Sequence, residues 1–316
     1  YRIPALVTAT DGTVIAAIDD RVSSCDDLRS NQDINIAIRR SKDHGANWGP
    51  LETIIDFPPG QSASDPSMIV DEMTNEVFLF YNYMDLDQET GIYYLHLVKS
   101  SDYGKTWSEP LDITNQVTNP AWQKDFKFIT SGRGTQTKGG KLLHCLVNLE
   151  HGVHVIYSDD HGVHWDYIDT PIVPGDESKI IELNDGSWMI NTRVKGGTRY
   201  VHISKDEGKT WLGKAVSDLA DPACNASLIR YPSLAGDQKT RLLFSNANSP
   251  TDRINMTVRL SFDEGESWPI QKTIYSGSSA YSSMTILKNG NIGILFERDD
   301  YRTNSFVSFS LDWLTE

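Results

Sequence analysis

Cysteine is scarce in this chain: Cys25, Cys145 and Cys224 are its three among 316 residues. Odd in number and far apart, they give neither a disulfide framework nor the short spacings of a zinc site. They are expected to be simple small residues in or near the core. Positive charge is also in deficit, with 29 Lys and Arg against 43 Asp and Glu and a net charge of −14. Nothing offers the basic stripe that a nucleic acid or an anionic membrane would need, although global charge does not forbid a locally positive pocket. No apolar run approaches the length of a membrane span, and no membrane insertion is expected. The glycine-rich stretch from Gly132 to Lys141 lacks the ending of a phosphate-binding loop and reads as a turn. An initiating methionine is missing too. The start at Tyr1-Arg2-Ile3-Pro4 reads as that of a trimmed or mature fragment, with the N-terminal part of the native protein expected to be absent.

Aromatic residues, by contrast, are plentiful, with eight Trp and thirteen Tyr. Five of the tryptophans close one repeated pattern, Ser-x-Asp-x-Gly-x-x-Trp. It runs Ser41 to Trp48, Ser100 to Trp107, Ser158 to Trp165, Ser204 to Trp211 and Ser261 to Trp268. The chemistry is that of a tight turn between strands. Asp accepts bonds from downstream backbone N–H groups, Gly supplies a positive φ, and Ser adds a local side-chain bond. The Trp then starts the next strand and buries its ring between neighbouring units. Because these aspartates recur in every unit, they are structural rather than catalytic.

A second rhythm agrees with the first. Turn pairs at Asp11-Gly12, Asn75-Glu76, Gly139-Gly140, Asp185-Gly186, Asp237-Gln238 and Asn289-Gly290 each precede a strand-like run. The sixth run is followed by Ser310-Leu311-Asp312-Trp313, a degenerate remnant of the repeat. Six units of about 53 residues, with no amphipathic helical stretch and no linker, predict an all-β, six-bladed β-propeller. A single domain is expected over residues 1–316.

Repetition makes the exceptions informative. If the six runs are the innermost strands, polar residues at their ends are forced toward the axis, where propellers bind ligands. Those residues are Arg2, the cluster Asp19-Asp20-Arg21, Asp65, the pair Asp176-Glu177, Arg193, Arg253, Tyr281 and Glu297. Arginines converging there require an anionic ligand or carboxylate partners. Taken singly, Arg2 with Glu297 and Arg193 with Glu177 also read as ordinary buried ion pairs.

Over essentially its whole length the sequence resembles the bacterial sialidases. The resemblance rests on Tyr1-Arg2-Ile3-Pro4, the five repeated turns, and the segments FSNANSPTDR and AYSSMTIL near the C-terminus. It implies an exo-α-sialidase that acts with retention on sialylated glycans. It also implies that Arg2, Arg193 and Arg253 clamp the substrate carboxylate, that Tyr281 is the nucleophile, and that Glu177 takes its proton. Glu297 matches the carboxylate that orients the first arginine, and Arg21 and Asp65 match residues holding the O4 edge of the sugar. The general acid/base falls on Asp26 or Asp27, with Leu28 favouring Asp27. No metal or cofactor is implied, and the protein is expected to be a secreted, periplasmic or cell-surface monomer.

These residue types suit that chemistry. A sialic acid carries its carboxylate on the anomeric carbon, where a carboxylate nucleophile would be repelled and a neutral phenol would not. Two alternatives stay open. A trans-sialidase, intramolecular or not, would use the same residues, and a non-catalytic sialic-acid-binding propeller would keep the repeats while losing some of them.

Overall fold

A computed structural model describes residues 1–234, 237 and 239–316; Gln238, one half of the fifth turn pair, lies outside the described residues. The chain folds as a β-propeller of successive antiparallel sheets. The first sheet holds β1 (Arg2–Thr8), β2 (Val14–Arg21), β3 (Ile34–Ser41) and β4 (Glu52–Ile55). The second holds β5 (Gln61–Asp71), β6 (Glu76–Asp85), β7 (Tyr94–Ser100) and β8 (Leu111–Asp112). After the one-turn helix α1 (Thr114–Val117) come β9 (Lys127–Ile129), β10 (Gly132–Arg133), β11 (Thr135–Gln136), β12 (Leu142–Asn148), β13 (Gly152–Ser158) and β14 (Asp166–Tyr167). Of these, β10 pairs with β5 and the rest form the third sheet. The fourth consists of β15 (Ser178–Glu182), β16 (Trp188–Thr192), β17 (Thr198–Ser204) and β18 (Leu212–Ala220). The last consists of β19 (Ser227–Arg230), β20 (Leu242–Ala247), β21 (Ile254–Ser261), β22 (Ile270–Ile286), β23 (Ile292–Arg298) and β24 (Thr303–Phe309).

The expectation of six blades is therefore corrected: hydrogen bonding divides the strands into five sheets. The cause is β22. Over its 17 residues it first pairs with β21, from Ile270 to Ser278, and then with β23, from Ser279 to Ile286. One unbroken strand thus fuses the fifth and sixth sequence units into a six-stranded sheet. The sixth unit also lacks a full repeat. Where the others turn into an outer strand, Ser310 caps the short helix α2 (Leu311–Thr315) by accepting from the Trp313 N–H.

A second correction concerns which strands are innermost. The six apolar runs are β2, β6, β12, β16, β20 and β23, each the second strand of its unit. Cross-sheet bonds join their neighbours instead: the Leu6 N–H in β1 donates to Ser283 Oγ in β22, and Met284 N–H donates to Ser227 Oγ in β19. Antiparallel pairing preserves the consequence. The start of an inner strand and the end of the second strand lie at the same end of the sheet, so both sets of candidate residues meet there.

The repeated turns form as their chemistry dictates. In each, the Ser hydroxyl accepts from the Gly N–H and donates to the Asp carboxylate. Bonds from the residue four places on, Asn47, Thr106 and His164 in turn, with the Ser hydroxyl adding to them, hold the Asp43, Asp102 and Asp160 carboxyls down at about 2. The tryptophans reach across units: Trp165 packs edge-on against Phe78 and Phe80 of β6, and Trp48 against Phe306 of β24. Only Trp165 and Trp268 of the five are fully buried. Gly162 has a φ of 78°, and a Cβ there would lie 2.3 Å from the Phe78 ring. Gly162→Ala is expected to destabilise the protein by about 2–4 kcal/mol through left-handed backbone and overpacking. A fall in the urea midpoint at unchanged m-value would register it; a loss under about 0.5 kcal/mol would mean that the inter-unit contact yields freely.

Candidate functional site

Three inner strands carry a register shift at the same level. The register of β1 shifts between Arg2 and Ala5, that of β5 between Ser64 and Ser67, and that of β22 between Ser279 and Ser282. Each irregularity brackets a candidate residue or its neighbour: Ile3, Asp65 and Tyr281. A bulge of this kind re-aims a side chain out of the sheet's alternation. Ile3 and Asp65, each followed by proline, both have a φ of 61°. For a β-branched residue that conformation is strained, at a cost on the order of 1–3 kcal/mol, and it persists where the surroundings enforce it.

The surroundings of Ile3 centre on Glu297, whose side chain is fully buried. Its Oε1 accepts from Arg2 Nε at 2.6 Å and from the Ile3 N–H at 2.9 Å. Its Oε2 accepts from Arg2 Nη2 at 3.4 Å and from the Tyr281 N–H at 3.1 Å. One carboxylate at the end of β23 therefore fixes the bulges of β1 and β22 and aims Arg2.

Tyr281 is buried among Ile3, Ala280 and Cys224. Its hydroxyl donates to Glu177 Oε2 at 2.9 Å and accepts from Arg193 Nη1 at 3.2 Å, while that same Nη1 donates to Glu177 Oε2 at 2.5 Å. Burial and the charge of Glu177 push the Tyr281 phenol well above its ordinary value, against the pull of Arg193 and Arg253. Burial alone would lower Arg193, but Glu177, Tyr281 and Asp176 outweigh it and hold the guanidinium above its usual range. The phenol is thus a neutral donor aimed at a carboxylate, with cations beside it.

Arg2 and Arg253 flank the Tyr281 ring at 5.8 and 5.5 Å from its centroid. Arg253 bonds only neutral groups, donating to Tyr301 Oη at 3.1 Å and to the Ala223 carbonyl at 3.3 Å. Among the described residues no carboxylate lies within salt-bridge distance of it. Farther round, Arg21 contacts Asp19 at 3.3 Å and donates to the Cys25 carbonyl at 3.0 Å. Asp19 Oδ1 accepts from the Asp65 N–H at 2.9 Å, so the two carboxyls sit together. Burial and the nearby charges of Asp19 and Glu177 raise the Asp65 carboxyl well above the carboxylate range.

Arg2, Arg21, Asp65, Glu177, Arg193, Arg253 and Tyr281 line one cavity of about 590 Å³, together with Asp26, Asp27, Asp176, Phe126 and Leu149. Of the candidate residues, Asp19, Asp20 and Glu297 do not reach it, and Glu297 acts from behind. Asp26 and Asp27 both border it on an exposed loop anchored by buried Leu28, and the Asp27 carboxylate accepts from the Arg29 N–H at 3.2 Å. Cys25 on the same loop is exposed, against the expectation of a core position; Cys145 and Cys224 are buried. Two features were missed from sequence. Phe126 and Leu149 form an apolar edge to the cavity, and Tyr301 contacts two of the arginines. The run Arg298-Asp299-Asp300-Tyr301, directly after Glu297, is the signal that marks the latter. Among the described residues, no group of His, Cys, Asp and Glu side chains is arranged to hold a metal ion, and no helix is long and apolar enough to cross a membrane.

A family model for the BNR repeat-like domain matches residues 29–294. A sialidase of Micromonospora viridifaciens is 34% identical over 342 aligned positions, which cover 99% of this chain and 52% of that protein. A sialidase of Bacteroides fragilis is 32% identical over 333 positions, covering 94% and 60%. Among solved structures, the Hadza microbial sialidase Hz136 aligns with a TM-score of 0.88 at 30% identity, over 99% of this chain and 66% of that one. The chain spans about half the length of the first of these relatives.

Glu297→Met is expected to destabilise the fold by about 3–5 kcal/mol, because it leaves Arg2 and two buried N–H groups without their acceptor. Denaturant unfolding of Glu297→Met and of the Arg2→Met, Glu297→Met double variant checks this. The double variant should recover part of the loss. A loss below about 1 kcal/mol in the single variant would contradict the bridging role of Glu297.

Proposed function

The chain belongs to the BNR repeat-like domain family and within it to the bacterial-type sialidases, and from that premise we propose that it is an exo-α-sialidase working through a tyrosyl-sialoside intermediate. The observation that carries the proposal is the convergence of three arginines on one phenol, with Arg253 lacking any carboxylate partner within salt-bridge distance among the described residues. A half-buried cation so placed favours an anion from outside. A ligand carboxylate beside the Tyr281 oxygen satisfies that demand, and three guanidiniums fix its direction as well as its charge.

Arg2, Arg193 and Arg253 hold the carboxylate of the terminal sugar. Tyr281 attacks the adjoining anomeric carbon and passes its proton to Glu177 as the new C–O bond forms. The raised phenol supports this order of events, because it keeps the proton at rest and gives it up only as the attack proceeds. The glycosidic C–O bond breaks, and the leaving oxygen takes a proton from Asp27 (or Asp26). The same carboxylate then deprotonates water, which attacks the anomeric carbon. Tyr281 leaves and recovers its proton from Glu177, and two inversions give net retention. Arg21 and Asp65 are suited to the sugar's O4 edge, one as cation and one as a hydrogen-bonding carboxyl.

One chain supplies every residue in these roles, so a monomer suffices. For a substrate of terminal sialic acids on glycans we propose a secreted, periplasmic or cell-surface location.

The purified chain is expected to release the fluorophore from an aryl sialoside and free sialic acid from sialyl-lactose. An anhydro sugar or a transferred sugar would assign it to the transfer reactions, and no turnover of either substrate would favour a binding protein. Asp27→Ala should lower hydrolysis of sialyl-lactose by roughly two orders of magnitude or more, and that of the activated aryl sialoside far less. The same pattern in Asp26→Ala, with Asp27→Ala near normal, would move the role by one residue.

A further inference from the structure

Asp299, Asp300 and Tyr301 follow β23 with φ values of 54°, 53° and 67°. Three successive non-glycine residues in the left-handed region are unusual, and although aspartate tolerates it, tyrosine does so poorly. The segment is held in place by specific bonds. The Asp299 N–H donates to the Ser278 carbonyl at 3.1 Å, the Asp300 N–H to Ser278 Oγ at 3.1 Å, and the Arg302 N–H to the Asp299 carbonyl at 3.2 Å. Tyr275 Oη donates to the Asp299 carboxylate. The result of this local strain is to turn Tyr301 back over the site.

There the residue touches two arginines in two different ways. The Arg2 guanidinium carbon stands 4.1 Å from the ring centroid, and Arg253 Nη1 donates to the phenolic oxygen at 3.1 Å. Tyr301 does not line the cavity and keeps 38% of its surface exposed, so it lies on the solvent side of the pair. Arg2 and Arg253 are like charges with long, rotamer-rich side chains. The ring face attracts one cation while the hydroxyl accepts from the other, so a single side chain opposes both their repulsion and their freedom.

We propose that Tyr301 is a positioning residue that sets the spacing of Arg2 and Arg253 before substrate arrives. The inference rests on the reading of these arginines as a carboxylate clamp. It predicts that Tyr301 acts on affinity for the carboxylate, through KM more than through kcat, because the residue reaches neither the phenol–glutamate pair nor the leaving group.

Calorimetry with 2-deoxy-2,3-dehydro-N-acetylneuraminic acid, a carboxylate-bearing unsaturated analogue, separates the two contacts. Tyr301→Phe keeps the ring over Arg2 and removes the acceptor from Arg253, and should weaken binding roughly 3- to 10-fold. Tyr301→Ala removes both contacts and should weaken it roughly 30-fold or more. In an Arg253→Lys background the Phe substitution should add almost nothing, since its partner has already gone. KM for an aryl sialoside should rise in the same order, with kcat changing less. Parent-like affinity in Tyr301→Phe, or an equal Phe effect with and without Arg253, overturns the proposal while leaving the sialidase reading intact. Failure of the unaltered chain to bind the analogue at all overturns both.

Discussion

The site depends on one buried carboxylate accepting four bonds. Glu297 meets Arg2 twice and takes the backbone N–H groups of Ile3 and Tyr281. Those four contacts join the beginning of the chain to two strands near its end, so the same group that closes the ring of sheets also shapes its binding face. A buried acid earns no stability simply by being charged; it does so here because its lone pairs are occupied by a guanidinium and two amides. What it also contributes is placement. The Tyr281 amide is pinned, hence the phenol points to Glu177, and Arg2 is aimed from the opposite side.

The propeller supplies this placement through a simple geometric fact. In each antiparallel pair, the start of the inner strand and the end of the second strand lie side by side. Residues far apart in sequence, such as Arg2 with Glu297 and Glu177 with Arg193, therefore meet at one end of the fold. Bulges then break the alternation where side chains must turn toward the cavity. The strain at Ile3 and Asp65 lies at this end, next to the candidate site residues. The repeated Ser-x-Asp-x-Gly turns, with their low-lying aspartates, carry the opposite duty of holding neighbouring units in register.

Much of this was legible in the sequence, and the exceptions have physical causes. The repeated turn could be read to the level of individual bonds because its chemistry is local: Ser, Asp and Gly act on their own neighbours. The candidate site residues could be picked out because they interrupt a repeat and match a known motif, and one cavity gathers most of them. The number of sheets was not readable, because nothing between Ile270 and Ile286 shows that one strand changes partners without a break. The strand order misled for a related reason. The second strand of each unit is buried on both faces and so is the more apolar, whereas the inner strand carries the serines and threonines that bond across sheets, such as Ser283 and Thr285. Tyr301 is marked in the sequence by the charged run after Glu297, but its contacts with the arginines depend on a left-handed backbone that Asp-Asp-Tyr permits without requiring.

The account turns on Tyr281 forming a bond to the sugar, and trapping that bond is its most direct test. A 2,3-difluoro sialic acid should react with the protein, since the fluorine beside the anomeric centre slows breakdown of the adduct more than the fluoride leaving group slows its formation. Mass spectrometry of the intact chain should show one added sugar, and peptide mapping should place it on Tyr281. A label on Glu177 or on any other residue would contradict the mechanism.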